Sequence, residues 1–445
     1  MYSELDVSCL KTSIDDLMTC IKKTKLDKIK DEIKITRDMI FDYIKTHNRK
    51  LYGGLALEYL IKDINPSEII YDELDIPDID FYSPDPIEDL IQICNLLKDL
   101  KYVRGREAMH KETYCIYVNN KLYANITYVP KNIYAKIPFK TIKEFTITHP
   151  QFMIIDYFRI FTDPFVSYWR LFERKAFERY LKLDAYYPFP MNNKPIDVSE
   201  LKSKDEIKRE IFELTKDNDN LIHVGFTGYN YYVRESESTK YNQIDEKYYE
   251  IISMDLKSDS KLICDKLKEK YEIKIIENFP FFQYIGHSVS IYSPDDILLC
   301  VLYSHNNRCV PFAYDSVNKI NIASHNYVIM HMLACLMKYR VQNQEYLKQL
   351  HYKMVSNMMK LKESYIKESK DISLFKDFTL DIKGETLPPE KERQIIGEAR
   401  KKNNKAYLFN YEPAHGIKEE KTTYIFSNTS GNPVVNPMKS IFYEE

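Results

Sequence analysis

Apolar residues recur at helical spacing through LKTSIDDLMTCIKKTKL and IKDEIKITRDMIFDYIKTH, which predicts helices across residues 8–47. After a turn at Asn48-Arg49-Lys50, LALEYLIKDI reads as another helix, opened by the adjacent glycines Gly53 and Gly54 and closed before Pro66. DIDFYS alternates polar and apolar positions, as a half-buried strand does. PIEDLIQICNLLKDL is an amphipathic helix, and TYCIYVNN and KLYANITYVP are β-rich runs that Asn119-Asn120 can join as a hairpin. From Gln151 to Leu183 the pattern is helical again, with a break near Asp163-Pro164.

The same order returns in the second half: HVGFTGYNYYV, then YYEIISMD, KLICDKLKEKYEI, SVSIYSPDDILLCVLYSHNNRCVPF and ASHNYVIMHMLACL. CNLLKDLKYV matches CDKLKEKYEI at an offset of 170 residues, and Pro138-Phe139 matches Pro311-Phe312 at 173. Two copies of one supersecondary plan explain this. The second copy has no aspartate pair: the first offset puts Tyr248 and Glu250 at the positions of Asp78 and Asp80, the second Ile251 and Ser253. A duplicated chain of this kind keeps its structure there and loses its chemistry. The expected divisions are a helical segment (1–47), a first domain (48–190), a second, degenerate one (191–370) and a loosely packed polar tail (371–445).

Composition narrows the class. The cysteines at 9, 20, 94, 115, 264, 300, 309 and 335 form no CxxC pair and no Cys/His cluster, which predicts reduced, mostly buried thiols in an intracellular protein rather than a disulfide framework or a zinc site. No apolar run approaches the roughly 18 residues of a membrane span. The net charge of −2 hides local asymmetry: residues 60–100 carry 11 Asp and Glu against 2 Lys, and residues 101–185 carry 15 Lys and Arg against 8 acids. Acidic clusters attract cations and basic stretches attract phosphates, although solvated helix faces account for such runs equally well.

The chemistry concentrates at Gly53-Gly54 and Asp78-Ile79-Asp80. Aspartates two apart on a strand share a face, and their mutual repulsion calls for a divalent cation. Oxygen ligands so spaced suit Mg²⁺, which completes its shell with phosphates and water. A glycine turn opening a helix brings bare N–H groups to a triphosphate. The pair therefore predicts a site for a metal-bound nucleoside triphosphate and in-line displacement by a hydroxyl, with two ions sharing the work.

The sequence resembles the DNA polymerase β-like nucleotidyltransferase superfamily, and RKLYGGLALEYL, DIDFYSPDPIEDL, REAMHKETY and ANITYVPKNIYAKIP extend the likeness to one family. They resemble the poly(A) polymerase catalytic subunits of large cytoplasmic DNA viruses, of the giant-virus and African swine fever virus type and more distantly the poxvirus enzyme. The likeness is clearest over residues 45–190 and weaker beyond, where it includes YLFNYEP and SNTSGN. It implies an α+β fold with duplicated polymerase β-like palm domains, each a mixed sheet with flanking helices. It also implies AMP transfer from ATP to an mRNA 3′ end, with Mg²⁺ or Mn²⁺ on Asp78 and Asp80 and Gly53 and Gly54 at the nucleotide. A cytoplasmic site of action, in the viral factory and the virion, follows from the same likeness. Poxvirus enzymes use a separate processivity subunit, whereas giant-virus relatives resemble self-sufficient homodimers, which is the expectation here.

One position departs from the pattern. The superfamily's third carboxylate aligns with the run Ala124 to Thr127, where this chain has Asn125, an uncharged ligand and poor proton acceptor. Asn125 is kept as a catalytic candidate, with Glu112 as a substitute acid. The departure leaves two other readings open, a nucleotidyltransferase with another acceptor and a catalytically silent RNA-binding or dimer-partner subunit.

Arg104, Arg106, His110 and Lys111 precede the hairpin and are candidates for phosphate contact. Arg170, Arg174, Lys175 and Arg179, interleaved with Tyr168 and Trp169, suit single-stranded RNA, although an ordinary exposed helix has the same spacing. His287, His305, His325 and His331 are scattered, and the expectation is that they are structural rather than a metal set.

Overall fold

The computed structural model describes residues 3–442 apart from 73, 109, 164, 166, 168–169, 172–174, 191–195, 370, 389, 392–393, 396, 399–408, 414–415, 418–425 and 437–439. Two compact units emerge: residues 1–128, 139–148 and 395–424 form the first, and 129–138, 149–394 and 425–445 the second.

In the first unit, helices α1 (Glu4–Asp27) and α2 (Lys30–Thr46) lead to β1 (Lys50–Leu51) and α3 (Gly53–Ile64). Then come β2 (Ile79–Ser83), α4 (Pro86–Leu96), β3 (Arg104–Glu107), β4 (Thr113–Val118), β5 (Lys121–Tyr128), β6 (Phe139–Ile142) and β7 (Phe145–Thr148). Pro at the first turn of α4 fixes its start, and Leu90, Ile93 and Cys94 form its buried stripe. The β4–β5 hairpin turns at Asn119 and Asn120, both with positive φ (49° and 62°), as the two-residue turn requires.

The second unit contains β8 (Leu221–His223), a helix from Gly225 to Glu235, β9 (Tyr249–Ser253), a helix from Leu256 to Lys268, β10 (Lys274–Asn278) and β11 (Ser288–Tyr292). It continues with β12 (Leu298–Ser304), β13 (Val310–Asp315), β14 (Ile320–Ala323) and two long helices, His325–Val341 and Glu345–Ser369. The tail adds β15 (Ile382–Lys383) to this sheet, and β16 (Asn410–Glu412) and β17 (Gly416–Ile417) to the first.

The two sheets repeat one topology. The first runs β17-β16-β3-β4-β5-β2-β1-β7-β6 and the second β10-β11-β12-β9-β8-β14-β13-β15. Without the tail strands, each strand of one has a counterpart in the same place in the other, with the same parallel or antiparallel sense. Thus β2 pairs β5 in parallel as β9 pairs β12, and β1 pairs β7 as β8 pairs β14. The duplication read from the sequence is present in the strand order. Some described residues of the polar tail join the sheets. β16 pairs β3 and β15 pairs β13, and Ser430 and Pro433 bridge to Phe281 and Asn278, because sheet edges offer unpaired backbone groups even to a polar segment.

A buried ion pair fastens α4 to the β1 strand. Arg49 donates two bonds of 2.7 Å to Asp89, whose Oδ1 also accepts from the Tyr43 hydroxyl at 2.8 Å. Asp89 is 1% exposed. Replacing it with Ala leaves the cation and the phenol without this acceptor, so Asp89→Ala is expected to destabilise the fold by about 3–5 kcal/mol in chemical denaturation. A loss under 1 kcal/mol would contradict the pair's role.

Candidate active site

Three backbone pairings build the site. β1 runs antiparallel to β2, with Lys50 opposite Tyr82 and Leu51 opposite Phe81, and the Tyr52 N–H donates to the Asp80 carbonyl at 3.0 Å. β2 runs parallel to β5 with Asp80 opposite Asn125, and β5 runs antiparallel to β4 with Asn125 opposite Cys115. Ile79 and Phe81 point into the core at 0% exposure, so Asp80 is turned to the other face, and Asp78, just before the strand, shares that face.

Gly53 begins α3 at φ +75°, and a Cβ there would lie 2.5 Å from Asp80 Oδ2. The residue must be glycine both for its backbone and to let the helix start against a carboxylate. Gly54 follows it, buried in the first turn. The Asn125 amide bridges the acids: Nδ2 donates to Asp78 Oδ2 at 2.7 Å and to Asp80 Oδ1 at 2.9 Å, while its Oδ1 accepts from the Cys115 thiol at 3.1 Å. An amide NH₂ end thus stands where two like charges need a positive neighbour. Rotating that amide by half a turn presents Oδ1 to the same place.

The surroundings are polar and ordered. Tyr52 stacks on Tyr82 with ring centroids 4.0 Å apart, and its hydroxyl lies 2.7 Å from Thr127 Oγ1, which in turn lies 3.1 Å from Thr113 Oγ1. Arg37 of α2 donates to the Pro77 carbonyl beside Asp78. Burial pushes its guanidinium pKa down, and Tyr59, Glu58 and Asp78 oppose that shift. Burial likewise pushes the Cys115 thiol up, with Asp78 and Asp80 adding to the shift and Arg106 opposing it.

The substitute acid proposed from sequence does not reach the pair. Glu112 is buried at φ +57° before β4, its carbonyl accepting from the Tyr128 N–H, three positions along the hairpin from Cys115 and Asn125. Among the described residues no third carboxylate, thiol or imidazole completes a ligand group with Asp78 and Asp80.

Arg106 extends the line of the site. It pairs opposite Cys115, which pairs opposite Asn125 and so on to Asp80. It is exposed, sits 4.5 Å from the Tyr117 ring centroid, and donates to that hydroxyl at 3.0 Å. Arg104 lies over the same ring at 5.7 Å. Lys111 is exposed in the turn before β4. Arg170 and Lys175 belong to the second compact unit, Arg170 half-buried and Lys175 exposed at the start of a helix running to Tyr186. Arg174, Tyr168 and Trp169 lie outside the described residues. Tyr52, Cys115, Thr127 and Arg37 were not singled out from the sequence, since cross-strand register and a distant helix, not a local pattern, deliver them.

In the second copy Gly225 has φ +56°, and a Cβ there would lie 2.0 Å from Glu250 Oε2, the contact that Gly53 makes with Asp80. Val224 N–H donates to the Glu250 carbonyl at 2.9 Å, as Tyr52 does to Asp80. Glu250 is therefore the counterpart of Asp80, with Tyr248 in place of Asp78.

A strand-borne acid pair facing a glycine helix start, on a duplicated mixed sheet, defines a nucleotidyltransferase-like protein. Residues 38–167 match the family model “Poly(A) polymerase catalytic subunit”, and residues 182–443 match “APMV, Putative poly(A) polymerase, catalytic subunit, C-terminal”. A protein of Acanthamoeba polyphaga mimivirus described as “Putative poly(A) polymerase catalytic subunit” is 30% identical over 92% of this chain and 79% of its own length. An African swine fever virus protein of the same description is 32% identical over 36% of this chain and 34% of its own. The “Crystal structure of the Megavirus polyadenylate synthase” superposes with a TM-score of 0.89 at 28% identity, covering 99% of this chain and 94% of that one. The chain belongs to the family of viral poly(A) polymerase catalytic subunits, and it is an enzyme of the transferase class.

Gly53→Ala tests the geometry. The added methyl meets a carboxylate at 2.5 Å in a backbone conformation L residues rarely adopt, so Asp80 must move. The expected result is at least about a tenfold loss of primer-extension rate with the far-UV spectrum unchanged, in the range seen for a displaced catalytic group. Wild-type rates would contradict a close approach at Gly53.

Proposed function

We propose that this chain adds AMP from ATP to the 3′ end of RNA at a site centred on Asp78 and Asp80. The observation that carries the reading is the facing of these two carboxylates against Gly53 with Asn125 bridging them. Two half-buried carboxylates bridged by an amide fit a hard divalent cation, Mg²⁺ or Mn²⁺, with Asp78 and Asp80 as its protein ligands and Asn125 Oδ1 as a neutral third after rotation. When bound, the ion supplies charge neutralisation for the triphosphate. Gly53 and Gly54 let the backbone at the start of α3 approach that triphosphate, whose charge the helix N-terminus favours.

In the reaction the RNA 3′ oxygen bonds to the α-phosphorus as the bond from that phosphorus to the bridging oxygen breaks. Pyrophosphate leaves, and the hydroxyl proton passes to water, because Asn125 accepts protons poorly. Arg104, Arg106 and Lys111 supply positive charge to the RNA backbone in the first unit, and Arg170, Arg174 and Lys175 do so in the second. Transfer of AMP to another acceptor is the rival reading of the site that Asn125 leaves open.

Incubation with ATP, Mg²⁺ or Mn²⁺ and an oligo(A) primer separates them. The wild type is expected to extend the primer and Asp78→Ala/Asp80→Ala to lose at least about 10³-fold, the scale of a lost charge-stabilising group. RNA binding without extension would contradict the proposal, and AMP transfer to another molecule favours the other acceptor. Asn125→Asp places a third carboxylate on the pair, so the variant should melt at a lower temperature without metal and polymerise faster with it. An unchanged rate in a folded variant would show that Asn125 does not occupy the third ligand position.

We also propose a homodimer. Val7, Leu10, Ile14, Leu17 and Ile21 are exposed on α1 at alternating spacings of three and four, and α1 buries none of its residues. That spacing is the seam of a two-stranded coiled coil, which a second copy would supply. Light scattering should give a dimer that Leu10→Glu/Leu17→Glu converts to monomer. A wild type monomeric at micromolar concentration, or a variant still dimeric, would count against it.

A further inference from the structure

The second copy has not simply lost its site; the counterpart of Asp80 has gathered different neighbours. Glu250 is 1% exposed and is met by His331 and Cys335, one turn apart on the helix His325–Val341, and by His351 on the next helix. Glu250, Cys335 and His351 each place one ligand atom within 4.8 Å of the others. His331 Nε2 lies 3.1 Å from Glu250 Oε1 and 3.5 Å from Cys335 Sγ, and that sulfur lies 3.8 Å from Glu250 Oε1. All four side chains are buried.

A bare Glu250–His331 ion pair does not account for the cluster. Glu250 Oε2 and His351 Nε2 are both buried with no hydrogen-bond partner. Buried acceptors left unpartnered in this way are unfavourable and uncommon. The His351 Nδ1–H donates to the Leu347 carbonyl at 2.9 Å, which leaves the Nε2 lone pair pointing elsewhere. A backbone carbonyl fixing the far nitrogen is how metal-bound imidazoles are oriented. The Tyr303 hydroxyl donates to Glu250 Oε1 at 3.1 Å, a second such support.

We propose that Glu250, Cys335 and His351 bind a zinc ion in the degenerate copy, with His331 beside Glu250 and Cys335. Zinc bonded at about 2.0–2.1 Å to nitrogen and oxygen and about 2.3 Å to sulfur has donor–donor edges near 3.3–3.6 Å. The Cys335–Glu250 separation of 3.8 Å lies near that range, and His351 lies within 4.8 Å of both. One thiolate, one imidazole and one carboxylate select zinc over Mg²⁺, and the two anions neutralise it. Lys338 opposes a cation here, and burial pushes its ammonium pKa down. All three donors are buried and His331 stands against two of them, so the ion is structural. It pins the two long helices to β9 at the place where the first copy keeps a reactive face. His331 and Tyr303 also line a small pocket with Arg308 and Tyr284. Sequence alone concealed the set, because its members come from three elements and only His331 and Cys335 are near neighbours in the chain.

The test is elemental analysis of the full chain, purified without a metal-affinity tag and passed through chelator. The wild type and Asp78→Ala/Asp80→Ala should each retain about one zinc per chain, while Cys335→Ser and His351→Gln fall at least about tenfold. Cobalt substitution should give a thiolate charge-transfer band that Cys335→Ser abolishes. Should the variants fail to fold, the wild-type zinc content and its cobalt band decide the matter. Less than about one zinc per ten chains in wild type expressed and refolded with zinc, or full retention in both folded variants, would overturn the proposal. Neither outcome depends on polymerase activity, so it stands or falls apart from the reading of Asp78 and Asp80.

Discussion

The parallel pairing of β2 with β5 in the register that sets Asp80 opposite Asn125 is the constraint on which the site depends. Two carboxylates on one strand face repel, and the sheet holds them together because an amide from the neighbouring strand donates to both. A slip of one residue in β5 would turn Asn125 to the opposite face and leave the acids without it. The core sets that register: Ile79 and Phe81 on β2 and Ala124 and Ile126 on β5 are fully buried on the other side of the same ladder. Burial of apolar surface thus fixes the polar geometry.

The same framework, used twice, takes two different chemistries. Both copies start a helix with a positive-φ glycine against an acid, at Gly53 and Asp80 and again at Gly225 and Glu250. In the first, the acid is half-exposed and its neighbours are oxygen and amide groups. In the second, it is buried under two long helices that bring imidazole and thiol groups, with a phenol from β12. Fold conserved across copies therefore says little about site, and the side chains on the covering elements decide it.

Much of this was legible in the sequence. The glycine turn, the DIDFYS alternation and the Asn119-Asn120 hairpin are local patterns, and each formed where the pattern put it. The duplication was visible because the order of elements repeats. The pairing of Cys115 with Asn125 was not. A regular two-residue hairpin closing at Val118 and Lys121 would set Ala124 opposite Cys115, but an irregularity between Ile116 and Tyr117 shifts the ladder by one. Nor could the sequence show β16 joining the edge of β3 from some 300 residues away, since edge pairing depends on backbone groups that every residue carries. The Glu250 cluster was hidden for a related reason, its histidines and cysteine being scattered until the helices pack.

The central claim is that Asp78, Asp80 and the start of α3 hold the nucleotide and its metal. A crystal of this chain soaked with Mn²⁺ and a non-hydrolysable ATP analogue tests it most directly. The account predicts an anomalous manganese peak within bonding distance of Asp78 and Asp80, with the triphosphate against Gly53 and Gly54. A fully occupied nucleotide elsewhere, with no manganese at the aspartates, would contradict it.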